Sequence, residues 1–242
     1  MARPPAPRAN ARLSAAQLAD YLVAATPIGQ MGILRQAKYP GQNRPLIIQY
    51  QHAKRAIAEC LRNRAGMNAL IARATVELER RRDDPTSSPL VTDDAQRSID
   101  VIELFQRSAN ELDLWQSNYE EPPLRPAPLN INGVEVSVFP DSLSMSQARQ
   151  EPRVGQVFIR CTIGQPGDAA ENRRTEANGH LATIAHMHAS HYLAHLGTPH
   201  APTSVVIDVP RQRLIRGPVN SARRIANIEM ACTMISALWP TI

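Results

Sequence analysis

Lysine is almost missing from this chain. Lys38 and Lys54 are the two it has, so nearly all of its 27 basic residues are arginine. Aromatic residues are scarce at 4%, which leaves Leu, Ile, Val, Ala and Met to build the core. It also disfavours sequence-tolerant binding of single strands, which depends on base–aromatic stacking. No apolar run approaches the roughly 18 residues that a membrane span needs, so no membrane partner is expected. The opening "MARPPAPRANAR" is basic but leads into no apolar stretch, and a cytoplasmic rather than secreted protein is expected. Cys60, Cys161 and Cys232 are odd in number and widely spaced. They read as reduced, buried thiols rather than a disulfide framework. There is no G-x-S-x-G elbow, Walker A sequence, G-x-G-x-x-G, C-x-x-C pair or H-E-x-x-H.

What is present suffices for a folded protein. With 242 residues and 43% hydrophobic content, the chain can bury a sizeable core. Residues 1–12 are rich in Pro, Ala and Arg and are expected as a disordered tail. A helical region is expected over 13–121. Ser14 is placed to cap "AAQLADYLVAA", and Ile47, Tyr50, Ala53, Ile57, Cys60 and Leu61 form a buried stripe on a helix from about Leu46 to Arg64. "MNALIARATVELERRR" continues as helix, and Thr92 is the expected cap of the next. Four prolines between Pro122 and Pro128 mark a linker over 122–129.

Beyond it, 130–242 changes character. Val134, Val136 and Val138 alternate with polar neighbours as in a half-buried strand, and "GQVFIRCTIG" reads as a second strand. "TSVVIDV" is an apolar run suited to a central strand, "QRLIRGP" to its partner, and "SARRIANIEMACTMISALW" to a closing helix. The fold expected is α+β, a helical N-terminal half followed by a small mixed β-sheet flanked by helices.

Six of the seven histidines fall between His180 and His200. On one helix His188, His191 and His195 would lie within about 60° of each other, and a four-residue spacing lets two imidazoles share a metal ion. The competing expectation is that these histidines flank the apolar face of Leu181, Ala185, Tyr192 and Leu196 at the solvent boundary.

The order helix, strand, strand, helix, strand, carried by "VEVSVFPDSL", "VGQVFIRCTIG" and "SVVIDV", resembles the core of the restriction-endonuclease-like, or PD-(D/E)XK, superfamily. The resemblance covers about 115 residues from Asn130 onward, and its motifs are degenerate. It implies that Asp141, after Pro140 at a strand end, stands where that family keeps a metal-binding acid. Gln156 and Arg160 on the neighbouring strand stand where a second acid and a lysine would be. Hydrolysis by a hard divalent cation needs a cage of oxygen ligands, and no acidic residue lies between Val154 and Gly164. Arginine cannot stand in for lysine as a proton acceptor.

Three functions follow as expectations. The first is a nucleic-acid-associated or accessory protein on a nuclease-like fold without catalysis. Its phosphate contacts would be Arg173 and Arg174 ahead of the His-rich segment, and Arg223 and Arg224 at the start of the last helix. The second is a metal-dependent hydrolase using Asp141 with His188, His191 and His195, for which Mg, Mn or Zn is the cofactor left open; otherwise none is expected. The third is a module that docks a protein partner through its helical half.

Overall fold

Ser14 starts the first helix by accepting from the Gln17 backbone N–H at 3.2 Å, while the Gln17 side chain accepts from the Ser14 N–H at 2.9 Å. This reciprocal pair satisfies two otherwise orphan donors and fixes where α1 (Ala15–Leu22) begins. The computed structural model describes residues 6–40, 49–148, 151–164 and 166–242. Helices α2 (Pro27–Lys38), α3 (Gln51–Arg62), α4 (Met67–Asp83) and α5 (Pro89–Ser108) follow. The expected start of α3 near Leu46, with Ile47, lies outside the described residues. Thr92 does not cap α5, which begins a turn earlier at Pro89 behind Ser88. Proline at the first helical position costs nothing, because that N–H has no partner in any helix.

The strands form two sheets. In the small one, β1 (Arg12–Ser14) lies parallel to β4 (Val134–Ser137), which pairs antiparallel with β3 (Leu129–Ile131). The hairpin between β3 and β4 turns at Asn132 and Gly133, both with positive φ, the Asn-Gly pairing that such two-residue loops favour. Residues 8–12, expected as part of a disordered tail, are thus placed. Leu13 is buried beside them, and the Trp239 indole N–H donates to the Arg8 carbonyl at 3.1 Å.

The large sheet has the order β2 (Asn118–Glu120), β5 (Ser142–Ala148), β6 (Glu151–Arg160), β8 (Val205–Asp208), β9 (Arg213–Arg216). The two-residue β7 (Thr198–Pro199) pairs with the first half of β6, and β8 pairs with its second half. Because β6 and β8 are parallel, a crossover must join them, and α6 (Asp168–Tyr192) supplies it. The last helix is α7 (Ala222–Leu238).

The pleat sends alternate side chains of β6 and β8 to opposite faces. Phe158 and Val206 enter one core with α1, α2, α6, α7 and the small sheet. Val157, Ile159, Val205 and Ile207 enter a second core with α3, α4 and α5. The central strands are buried on both sides, as a parallel pair requires. The stretches 13–121 and 130–242 therefore share both cores instead of each closing its own.

Candidate arginine-lined cleft

Arg160 ends β6 and Asp208 ends β8, directly opposite each other in register. Ligands of open α/β sheets collect outside the carboxyl ends of parallel strands, and α6 begins at this edge. Its second turn carries Arg174, whose Nε and Nη2 donate to the two Asp208 carboxylate oxygens at 2.5 and 2.8 Å. Asp208 is 1% exposed, and Asn178 Nδ2 donates to it at 2.9 Å, so this buried charge is both paired and hydrogen-bonded. Arg174 also donates to the Thr162 carbonyl at 2.6 Å. Arg211, just past β8, pairs with Glu171 of the first turn of α6. That hydrogen bond holds the Glu171 carboxyl below its usual range and the Arg211 guanidinium above its own.

Arg160, Arg174 and Arg211 line a cleft of about 650 Å³. Asp20 and the α1–α2 turn form its far side, with Val23, Ala24, Ala25, Gly29 and Ile33, while Arg160, Arg173, Arg174 and Arg211 form the near side. Arg160 donates to Asp20 at 2.8 Å. Arg173 makes no ion pair among the described residues and is exposed. Asp208 matches the charge of Arg174, Glu171 that of Arg211 and Asp20 that of Arg160, so among the described residues Arg173 supplies the unmatched positive charge of the lining.

Of the residues singled out from sequence, Arg160, Arg173 and Arg174 come together here. Arg223 and Arg224 do not line this cleft. They border a neighbouring recess with His180, Asn220 and Asn227, where Arg224 grips Glu176 at 2.6 Å. Glu176 lies three residues after Arg173, so both arginine groups flank the first half of α6. Arg211 was missed because nothing in "DVPRQR" marks it; the turn after β8 brings it to the helix.

Asp141, Gln156 and Arg160 do not form one constellation. Asp141 accepts from the Ile159 N–H at 2.7 Å and faces Lys54 of α3, 3.6 Å away, on the side of the sheet opposite α6. Burial raises the Asp141 pKa, opposed first by the Lys54 charge and then by the Ile159 hydrogen bond. Gln156 points to the α6 side but sits about 13 Å along the strand from Arg160, at roughly 3.3 Å per residue. Lys54, from the first half of the chain, thus supplies the countercharge of Asp141. Among the described residues no second carboxylate joins them. Nearby Cys161 is buried, and desolvation pushes its thiol up to about 12, far from a thiolate.

The histidine expectation is corrected as well. Helix α6 ends at Tyr192, so His195 lies past it, and both His191 and His195 are exposed. His188 is 1% exposed with both ring nitrogens engaged. Its Nε2 lies 2.9 Å from the Ala127 carbonyl and must donate, which leaves Nδ1 to accept from Gln156 Nε2 at 2.7 Å. Tyr192 donates to the Pro128 carbonyl at 3.0 Å. The aromatic end of α6 therefore ties down the proline-rich segment. Among the described residues no group of three or more His, Cys, Asp or Glu side chains is placed to hold a metal ion.

For partners, no helix among the described residues is long and apolar enough to cross a membrane. Within 14–64, Ile28 is the one strongly exposed large apolar side chain among the described residues. Met230, Met234 and Leu238 instead align on the outer face of α7. No known family matches the chain, and no curated protein or solved structure is significantly similar to it.

Proposed function

We propose that this protein is a nucleic-acid-associated accessory protein on a nuclease-like scaffold, and that it acts by binding rather than by hydrolysis. The observation that carries the reading is the cleft in which Arg160, Arg173, Arg174 and Arg211 converge at the carboxyl ends of β6 and β8. Arg174 and Arg211 are locked by Asp208 and Glu171, so the site is preorganised, and Arg173, with no partner among the described residues, offers its donors to phosphate oxygens. Arg223 extends the basic surface along α6, and the net charge of +5 favours phosphate polyanions.

A hydrolytic metal does not fit the residues present. One oxygen of Asp141 is already engaged by the Ile159 N–H and Lys54, and Gln156 and Arg160 point to the opposite face of the sheet, toward His188 and Asp20. A hard cation would lack the oxygen cage it needs.

Fluorescence anisotropy with labelled duplex and single-stranded DNA across a salt series tests this, with manganese and again with EDTA. Binding is expected to weaken steeply with salt, with a log–log slope reduced by about 1 in Arg173→Ala. Cleavage that appears with manganese would refute the non-catalytic reading, and binding indifferent to salt would refute the phosphate contacts.

A further inference from the structure

The cleft has two unlike walls. One presents guanidinium groups; the other is Val23, Ala24, Ala25 and Ile33, with Ala170 and Ala177 of α6 between them. Contact with a duplex backbone needs neither an apolar wall nor a concavity, since exposed basic side chains meet phosphates directly. Concave sites of about 300–1,000 Å³ with apolar lining and a few placed polar groups are what small ligands occupy. This cleft, at about 650 Å³, falls within that range.

We propose that the cleft holds one nucleoside monophosphate group, free or at the end of a strand. Its phosphate lies on Arg173 and Arg160, and its base lies against Val23, Ala24 and Ile33. The proposal rests on the reading that this cleft meets nucleic-acid phosphate, and it specifies that a single nucleotide is what enters.

The available donors place the phosphate. Arg174 spends Nε and Nη2 on Asp208, and Arg211 spends Nε and Nη2 on Glu171 and Nη1 on the Ile163 carbonyl. Among the described residues Arg160 gives one Nη2 hydrogen bond to Asp20 and keeps Nε and Nη1, while Arg173 keeps its whole fork. Asp20 is half exposed and can yield its place on Arg160 to a phosphate that binds guanidinium in a bidentate manner. The small side chains of Ala24, Ala170 and Ala177 leave room for a flat ring, and guanidinium planes stack on bases.

Isothermal titration of the full chain with adenosine 5′-monophosphate, inorganic phosphate and adenosine tests the proposal. Adenosine 5′-monophosphate is expected to bind at least about ten-fold tighter than either fragment, since each wall supplies part of the affinity. Arg173→Ala, at an exposed and unpaired position, should weaken it by about ten-fold or more, the scale of one charge-assisted hydrogen bond. Ala25→Glu, which puts a carboxylate at the exposed rim of the apolar wall, should weaken it comparably, while Arg107→Ala, on the exposed face of α5 across the sheet, leaves it unchanged. Phosphate binding as tightly as the nucleotide, or Arg173→Ala and Arg107→Ala behaving alike, would overturn the proposal. Short strands with 5′-phosphate and 5′-hydroxyl ends separate the sources: a preference for the phosphate end supports a strand terminus, and equal binding with the nucleotide still bound supports a free nucleotide. Salt-sensitive duplex binding without nucleotide binding sinks this proposal and leaves nucleic-acid association standing. Nucleotide binding without any DNA binding does the reverse.

Discussion

His188 shows what a histidine can do once a fold has enclosed it. Its two ring nitrogens bridge Gln156 of β6 and the Ala127 carbonyl, so one imidazole holds the sheet, α6 and the proline-rich segment together. His188→Ala strands a buried amide and a carbonyl. It should destabilise the protein by about 1–3 kcal/mol, read as a fall in the urea midpoint. Burial lowers the pKa of His180, His186, His188 and His200, most simply for His186, where desolvation acts alone. The folded state therefore binds protons less readily than the unfolded chain, whose imidazoles titrate near 6.5. Stability should be full above about pH 6.5 and fall as pH drops below it, because the unfolded state then takes up protons first. A thermal melting series from neutral pH to pH 5 checks this, and a flat profile would show that these histidines are not held neutral. Asp141 belongs to this scale too. Its partner Lys54 is 87 positions away in the sequence, so no local motif could have joined them.

At the scale of elements, the cleft depends on the junction of β6, β8 and α6. Arg174→Ala would leave Asp208 buried at 1% exposure with Asn178 as its remaining partner. Breaking such a pair costs about 3–5 kcal/mol, so this variant should unfold at markedly lower denaturant, unlike Arg173→Ala. Gly155 matters for a different reason. A Cβ there would lie 2.3 Å from the backbone of Thr203, because β6 presses against the segment that leads into β8. Gly155→Val should therefore prevent close approach of these chains and yield little soluble protein. The strands "VFIR" and "VVID" were legible because β-branched and apolar runs of that length belong to central strands. Strand β5 was not, because "SLSMSQA" is too polar to announce a strand; it is held by seven residues of antiparallel register with β6.

At the scale of the whole molecule, the large sheet lies between two cores, one shared with α1, α2, α6, α7 and the small sheet, the other with α3, α4 and α5. Residues 130–242 expressed alone would leave Val157, Ile159, Val205 and Ile207 facing water, along with the site on β4 where β1 pairs. That fragment should fail to show a cooperative melt, whereas the full chain should show one. A cooperative melt of the fragment would mean that the second half closes its own core.

The sequence by itself determined α1, α3, α4, α5 and α7, the two central strands and the α+β class, because periodicity and capping are local properties set by neighbours a few residues apart; α2 and the first turns of α6 were not legible in it. The Ser14 capping box, the alternation in β4 and the apolar run of β8 all lie within a few positions. It also placed Arg160 on a strand, with Arg173 and Arg174 between that strand and the His-rich segment; the structure puts both arginines within α6. Only the tertiary structure decided that Arg211 joins them, that Lys54 neutralises Asp141, and that His188, His191 and His195 part company. Each of those outcomes depends on which face a pleat or helix turn presents and on where α6 ends, and long-range packing alone fixes that.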